Sequence, residues 1–138
     1  MMHKRKLVHT DVIAIRWGDL DSVGHVNNTI YFRYMEQARI DWFDSLGYPV
    51  GPREEGPVIV NASCTFLKQL NYPGNVEVKT YIGTVGRTSM ESWIEMRPSY
   101  DPRTVYAEGG AKIVWVNYVL GKSQPLPDQI RRVVGEMP

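Results

Sequence analysis

Between residues 28 and 47 the apolar positions fall at helical spacing. Tyr31, Tyr34, Met35, Ala38, Trp42 and Leu46 lie three and four residues apart, the spacing that stacks side chains on one face of an α-helix. Arg33, Glu36, Gln37 and Asp44 lie largely off that stripe. Asn27 or Asn28 supplies an N-cap, Gly47 a stop, and Pro49 follows just beyond. Elsewhere the period is two. Val8 to Trp17 reads as a strand through its β-branched Val8, Val12, Ile13 and Ile15. Val58 to Leu70 alternates, with Val58, Val60, Ala62, Cys64 and Phe66 on one face and Asn61, Ser63, Thr65 and Gln69 on the other. Strands are predicted over 76–85, 88–97 and 105–120, with turns at 72–75, 86–87 and 101–103. Gly109-Gly110 suggests a bulge or bend inside the last strand. Pro125-Leu126-Pro127-Asp128 opens a short C-terminal helix running through Val134. The order predicts an α+β domain spanning 1–138, with a five-stranded antiparallel sheet wrapped around one long central helix. Such a sheet leaves an open edge, so pairing with a second copy is expected.

Composition narrows the function classes. The 43% hydrophobic and 22% charged content is that of an ordinary globular chain. A net charge of +1 without a basic block gives no footprint for nucleic acid. No apolar run reaches the roughly 18 residues of a membrane span. The basic N-terminus lacks the apolar core, about 7 to 15 residues long, of a signal peptide, so a cytoplasmic location is expected. Cys64 is the single cysteine, which excludes an intrachain disulfide and a Cys-cluster zinc site. On the apolar face of its strand it reads as a buried thiol.

The chemistry concentrates in Gly18-Asp19-Leu20-Asp21-Ser22-Val23-Gly24-His25-Val26-Asn27-Asn28, just before the helix. Its start imitates a calcium loop, but Val23 and Ile30 stand where oxygen ligands are needed. A zinc site from Asp19, Asp21 and His25 lacks a second nearby His. The plain reading is structural: Asp and Asn cap helices and hold turns. The catalytic reading starts from Asp21, a few residues before a helix N-terminus. Exposed N–H groups there attract a carbonyl oxygen that gains negative charge. A base or nucleophile beside an oxyanion site is the minimum for acyl transfer. There is no G-x-S-x-G motif for a serine nucleophile.

The run Asp19-x-Asp21-x-x-Gly24-His25-Val26-Asn27-Asn28-x-x-Tyr31-x-x-Tyr34-x-Glu36-x-Ala38-Arg39 resembles the signature of hotdog-fold acyl-CoA thioesterases of the 4-hydroxybenzoyl-CoA thioesterase-like family. Phe66-Leu67-Lys68-Gln69-Leu70 with Pro73-Gly74, and Val85-Gly86-Arg87-Thr88-Ser89, match in kind and order. The resemblance implies a hotdog fold, acyl-CoA as substrate and no cofactor or metal. It makes Asp21 the catalytic carboxylate, as base or nucleophile, and sets the oxyanion N–H at about Asn28, with Asn27 close by. It implies a homodimer or homotetramer with the active site at a subunit interface. Asn61, Ser63 and Thr65 are then the polar candidates from the partner's second strand. Arg87, Thr88 and Ser89 match a turn that meets CoA phosphates, with Lys68 a weaker candidate. His25 is a candidate for binding a carboxylate or positioning water. Tyr31 and Tyr34 belong to the core face, with Tyr31 at the edge of an acyl pocket. Asp19 is expected to orient the loop near Arg16.

Two other readings stand beside hydrolysis. An enoyl-CoA hydratase of this fold pairs Asp with His in Asp-x-x-x-x-His, and here Asp21 and His25 are one residue short. A non-catalytic acyl-CoA or acyl-carrier-protein binding module gains nothing from a partly desolvated carboxylate beside a thioester.

Overall fold

The computed structural model describes residues 4–49 and 51–135. Residues 1–3, 50 and 136–138, which the single-domain expectation also spans, lie outside them. The chain runs β1 (Lys6–Ile15), α1 (Asn28–Ser45), β2 (Glu55–Phe66), β3 (Gly74–Val85), β4 (Ser89–Pro98), β5 (Ala107–Asn117), β6 (Lys122–Ser123) and α2 (Asp128–Val134). A 3-10 turn, Trp17–Asp19, follows β1. The strands form one antiparallel sheet in the order β1-β3-β4-β5-β2, and β6 pairs with the end of β5. The sheet therefore has six strands where the sequence predicted five. The sixth arises because Asn117 ends the predicted 105–120 strand. Its Oδ1 accepts the N–H groups of Val119 and Leu120, both at 2.9 Å, and Gly121 turns the chain at φ 68°.

The apolar stripe of α1 lies against one face of the sheet. Tyr31, Tyr34, Met35, Ala38, Trp42 and Phe43 are buried, and Ala38 is 0% exposed, so the helix backbone sits close to the strands there. Burying side chains this large contributes roughly 1.5–3 kcal/mol each. The core divides along the helix. Tyr31, Tyr34, Met35 and Ala38 pack with Ile15, Val76, Val78 and Ile94 at one end. Trp42 and Phe43 pack with Trp115, Ile113 and the α2 residue Ile130 at the other.

The alternation predicted for β2 holds only in its second half. A register shift falls between Ile59 and Asn61. Val58 pairs with Val114 and Asn61 with Lys112, so both share the face away from the helices, while Ile59, Ala62, Cys64 and Phe66 face the core. Val58 thus departs from the face predicted for it, because the bulge at Val60 adds a residue that a period of two cannot reveal. Gly109-Gly110 is no bulge: the β5 pairings run through it in register on both sides. The glycine is needed for close approach instead. A Cβ at Gly109 would overlap the Ser63 carbonyl oxygen and stand 2.9 Å from Cys64 Cα.

Asp11, on β1, lies beside Asp41 of α1 and 3.9 Å from His9 Nε2. Burial first, then the Asp41 carboxylate, raises the Asp11 carboxyl from 3.8 to about 6, against a smaller opposing pull from the Val12 N–H and His9.

Two predictions follow from the packing. Gly109→Ala forces β2 from β5, and urea denaturation should show a loss of about 2 kcal/mol or more. Gly18→Ala, with nothing within 4 Å of the new Cβ, should stay within about 0.5 kcal/mol of wild type. For Asp11 the folded state holds the proton more tightly than the unfolded chain. The associated stability is complete below about pH 4 and is lost as pH rises through about 6. Asp11→Asn should flatten thermal stability between pH 4 and 7; an unchanged slope would locate the titrating group elsewhere.

Candidate active site

The polar stretch before α1 folds into a closed loop. Leu20 bridges Val26, and the Asn27 N–H donates to the Asp19 carbonyl at 2.9 Å, so both feet are tied. Inside it the Asp21 N–H donates to the His25 carbonyl at 2.8 Å, and the Gly24 N–H donates to the Asp21 carbonyl at 3.1 Å. Gly24 takes φ 84°, a left-handed conformation that glycine adopts without a Cβ penalty. The Asp21 side chain is held at one oxygen. Its Oδ1 accepts the N–H groups of Val23 and His25 at 3.0 and 3.2 Å. Its Oδ2 accepts no hydrogen bond from a described residue. Trp17, Leu20, Asp21 and Ser22 line a shallow recess of ≈ 430 Å³.

Asp19 ties this loop to the helix. Its Oδ2 accepts the Tyr34 hydroxyl at 2.7 Å and the Arg16 N–H at 2.9 Å. Burial, then the Asp19 carboxylate, raises the Tyr34 hydroxyl far above its usual range, so it remains a donor. His25 Nδ1 lies 3.0 Å from Asn71 Oδ1, and the Val26 N–H donates to the Leu70 carbonyl at 3.1 Å. Both bonds clip the loop to the segment after β2. Tyr31 is in the core. Its hydroxyl accepts the Leu70 N–H at 2.9 Å, and its ring meets Phe66 edge-on at 4.9 Å.

Asn27 is the N-cap of α1, its Oδ1 accepting the Thr29 N–H at 2.9 Å. The Ile30 N–H donates to the Asn27 carbonyl at 2.9 Å. The Asn28 N–H donates to no described residue outside the helix, and it is too near the start for a partner within it. The first turn carries no acidic side chain, so the positive end of the helix dipole is not neutralised there. Asp21, His25, Asn27, Asn28 and Tyr31 therefore gather at one end of the sheet, where an anionic oxygen has a donor waiting.

The other sequence-predicted residues lie elsewhere in the protomer. Asn61 and Ser63 line a groove with Arg5, Trp93 and Gly110 on the face that carries no helix. Arg87 and Thr88 lie in the β3–β4 connection and Ser89 opens β4, at the end of the sheet away from Asp21. The Arg87 carbonyl accepts the Leu126 N–H and the Arg131 guanidinium, both at 3.0 Å. Two features escape the sequence patterns. One is an apolar cavity of ≈ 220 Å³ at the C-terminal end of α1, lined by Ile40, Phe43, Tyr48, Pro57 and Tyr118, with Arg53 at its rim. Its walls come from segments too distant in the chain for any local period to join. The other is Arg39, whose Nη1 is buried without an acceptor among the described residues; burial lowers its pKa.

The chain was compared with known proteins. Residues 15–134 match the thioesterase-like superfamily. The PA2801 protein of Pseudomonas aeruginosa, described as a candidate thioesterase, is 42% identical and superimposes with a TM-score of 0.92, over 94% of this chain and all of that one. A candidate esterase of Aquifex aeolicus is 33% identical over 76 residues, covering 53% of this chain and 59% of the relative. The YsmA protein of Bacillus subtilis is 26% identical over 78 residues, 56% of this chain and 53% of the relative. The match thus spans little more than half the length of these two curated relatives. With a family match that covers both the loop and all of the sheet beyond β1, the chain belongs to the thioesterase-like superfamily.

Proposed function

We propose that this protein hydrolyses acyl-CoA thioesters to a carboxylic acid and CoA. The observation that carries the reading is the pairing of a half-tethered carboxylate with an unused helix donor. Asp21 is immobilised through Oδ1, and neither its Oδ2 nor the Asn28 N–H at the start of α1 has a partner among the described residues. The thioester oxygen accepts from the Asn28 N–H, and its developing charge is favoured by the helix terminus. Asp21 Oδ2 takes a proton from water, whose oxygen bonds to the carbonyl carbon. The tetrahedral intermediate then expels the CoA sulfur, which receives that proton as the C–S bond breaks. Direct attack by Oδ2, with the acyl-aspartyl anhydride hydrolysed in a second step, uses the same groups. His25 and Asn27 hold the loop and the helix start in register.

A second copy completes the site. β2 is a 12-residue edge strand whose bulged Val60 is 53% exposed, and Phe66 and Phe32 beside it are exposed too. Phe32 meets Phe66 edge-on, with ring centroids 6.5 Å apart, so it marks the flank of α1 that faces β2. A two-fold pairing along β2 covers the apolar edge. The helix-free groove of Asn61 and Ser63 and the Arg87-Thr88-Ser89 connection are the polar surfaces left for CoA.

Asp21→Asn retains an oxygen for the Val23 and His25 N–H groups but removes the base. It should lower kcat at least about a hundredfold with little change in melting temperature. Activity that survives the change removes Asp21 from the chemistry, and acyl-CoA binding without turnover in wild type favours a binding module. Val60→Asp should produce monomers in sedimentation velocity and abolish thiol release, since a charge replaces apolar surface at the pairing edge. A monomeric wild type would sink the paired site.

A further inference from the structure

We infer that Asn71, backed by Tyr100, is a positioning residue that holds Asp21 through the ring of His25. The inference rests on the proposed hydrolysis and adds to it two residues from outside the polar loop. His25 holds Asp21 by both of its backbone groups. Its carbonyl accepts the Asp21 N–H at 2.8 Å, and its N–H donates to Asp21 Oδ1 at 3.2 Å. The other donor to Oδ1 is the N–H of Val23, a residue 72% exposed that makes no hydrogen bond to a described residue outside the loop. Of the two donors, only His25 carries the rest of the protein's restraint to the carboxylate.

That restraint arrives through Asn71. The two residues face each other across an isolated antiparallel bridge, and His25 Nδ1 lies 3.0 Å from Asn71 Oδ1. A carbonyl oxygen only accepts, so Nδ1 carries the proton in this bond and Nε2 of the neutral ring is left an acceptor. Asn71 thereby selects one of the two tautomers and fixes the ring. It is itself held from behind, its N–H donating to the Tyr100 hydroxyl at 2.8 Å. The Tyr100 ring packs over Gly74, where a Cβ would stand 3.1 Å from Cδ2, and meets Tyr106 edge-on at 6.0 Å. The Tyr106 and Thr104 hydroxyls donate to the two oxygens of Asp101, each at 3.0 Å. The β4–β5 connection is thus an abutment for the loop that carries Asp21. Other bonds keep that loop folded without the Asn71 side chain, which is exposed: Leu20 bridges Val26, and the Val26 N–H donates to the Leu70 carbonyl. Truncating Asn71 therefore loosens the aim of Asp21 and leaves the fold intact, and a misplaced catalytic group costs rate rather than substrate binding.

The test combines ring-nitrogen NMR of the histidines with kinetics. The chain has three histidines, and His25→Gln assigns the signal of His25. At about pH 8, above the ordinary histidine range, wild type should show His25 as the Nδ1–H tautomer, and Asn71→Ala should lose that signature. In thiol release from a panel of acyl-CoAs, Asn71→Ala should lower kcat about tenfold, with KM within about twofold of wild type and the melting temperature unchanged. Asn71→Asp keeps an acceptor in the same place and should restore kcat to within about threefold of wild type. Tyr100→Phe removes the acceptor of the Asn71 N–H and should give a smaller fall in kcat of the same kind. An Nε2–H signature in wild type, or full kcat in Asn71→Ala, overturns the positioning role and leaves the hydrolysis in place. So does a fall in kcat that Asn71→Asp does not restore, or one matched by a fall in melting temperature. A wild type that turns over no thioester removes the hydrolysis, and this inference with it.

Discussion

Burial of one face of α1 is the constraint on which the rest depends. Ala38 brings the helix close to the sheet, and Tyr31, Tyr34, Met35 and Trp42 fill the space on either side. The helix axis is thereby set along the sheet, which determines where each end of it emerges. Its N-terminus meets the loop from β1, and its C-terminus meets the start of β2 and the tip of β5. The free donor of the Asn28 N–H is a by-product of this seating, since a helix always leaves its first N–H groups unused.

The Asp19–Tyr34 hydrogen bond transmits that position to the loop. Tyr34 is buried with the core, yet its hydroxyl holds the carboxylate that also receives the Arg16 N–H. The loop is thus fixed at Asp19, at Asn27 and at Asn71, and Asp21 lies between these anchors with one oxygen committed and one open. Carboxylates with these two duties differ in their partners. Asp19 is held through Oδ2 by a core tyrosine and the end of β1, and Asp21 through Oδ1 by N–H groups of its own loop.

The protomer separates groups that the proposed chemistry uses together. The carboxylate and helix donor lie at one end of the sheet, and the Arg87 connection at the other. In the proposed dimer, antiparallel pairing along the exposed apolar edge of β2 sets opposite ends of the two sheets side by side.

Local rules account for much of this in the chain itself. The three-and-four spacing from Tyr31 to Leu46 determined α1 and its buried face, because a helical period is carried by neighbours on the same element. Asn27, Gly24 and the paired aspartates announced a capped, tightly turned loop, and the alternating runs marked the main strands of an antiparallel sheet, whose order only the structure shows. Tertiary structure decided the remainder. The bulge at Val60 reversed the face of Val58, since one inserted residue depends on the partner strand. Gly109 proved to be a close-approach glycine rather than a bulge, because its reason is the Ser63 carbonyl across the ladder. The turn at Asn117 produced a sixth strand from side-chain bonds that no period encodes. Which oxygen of Asp21 is free, where Arg39 is buried, and that Tyr48 and Tyr118 share a cavity all depend on segments distant in sequence. Periodicity reports what one element presents; only packing reports what it meets.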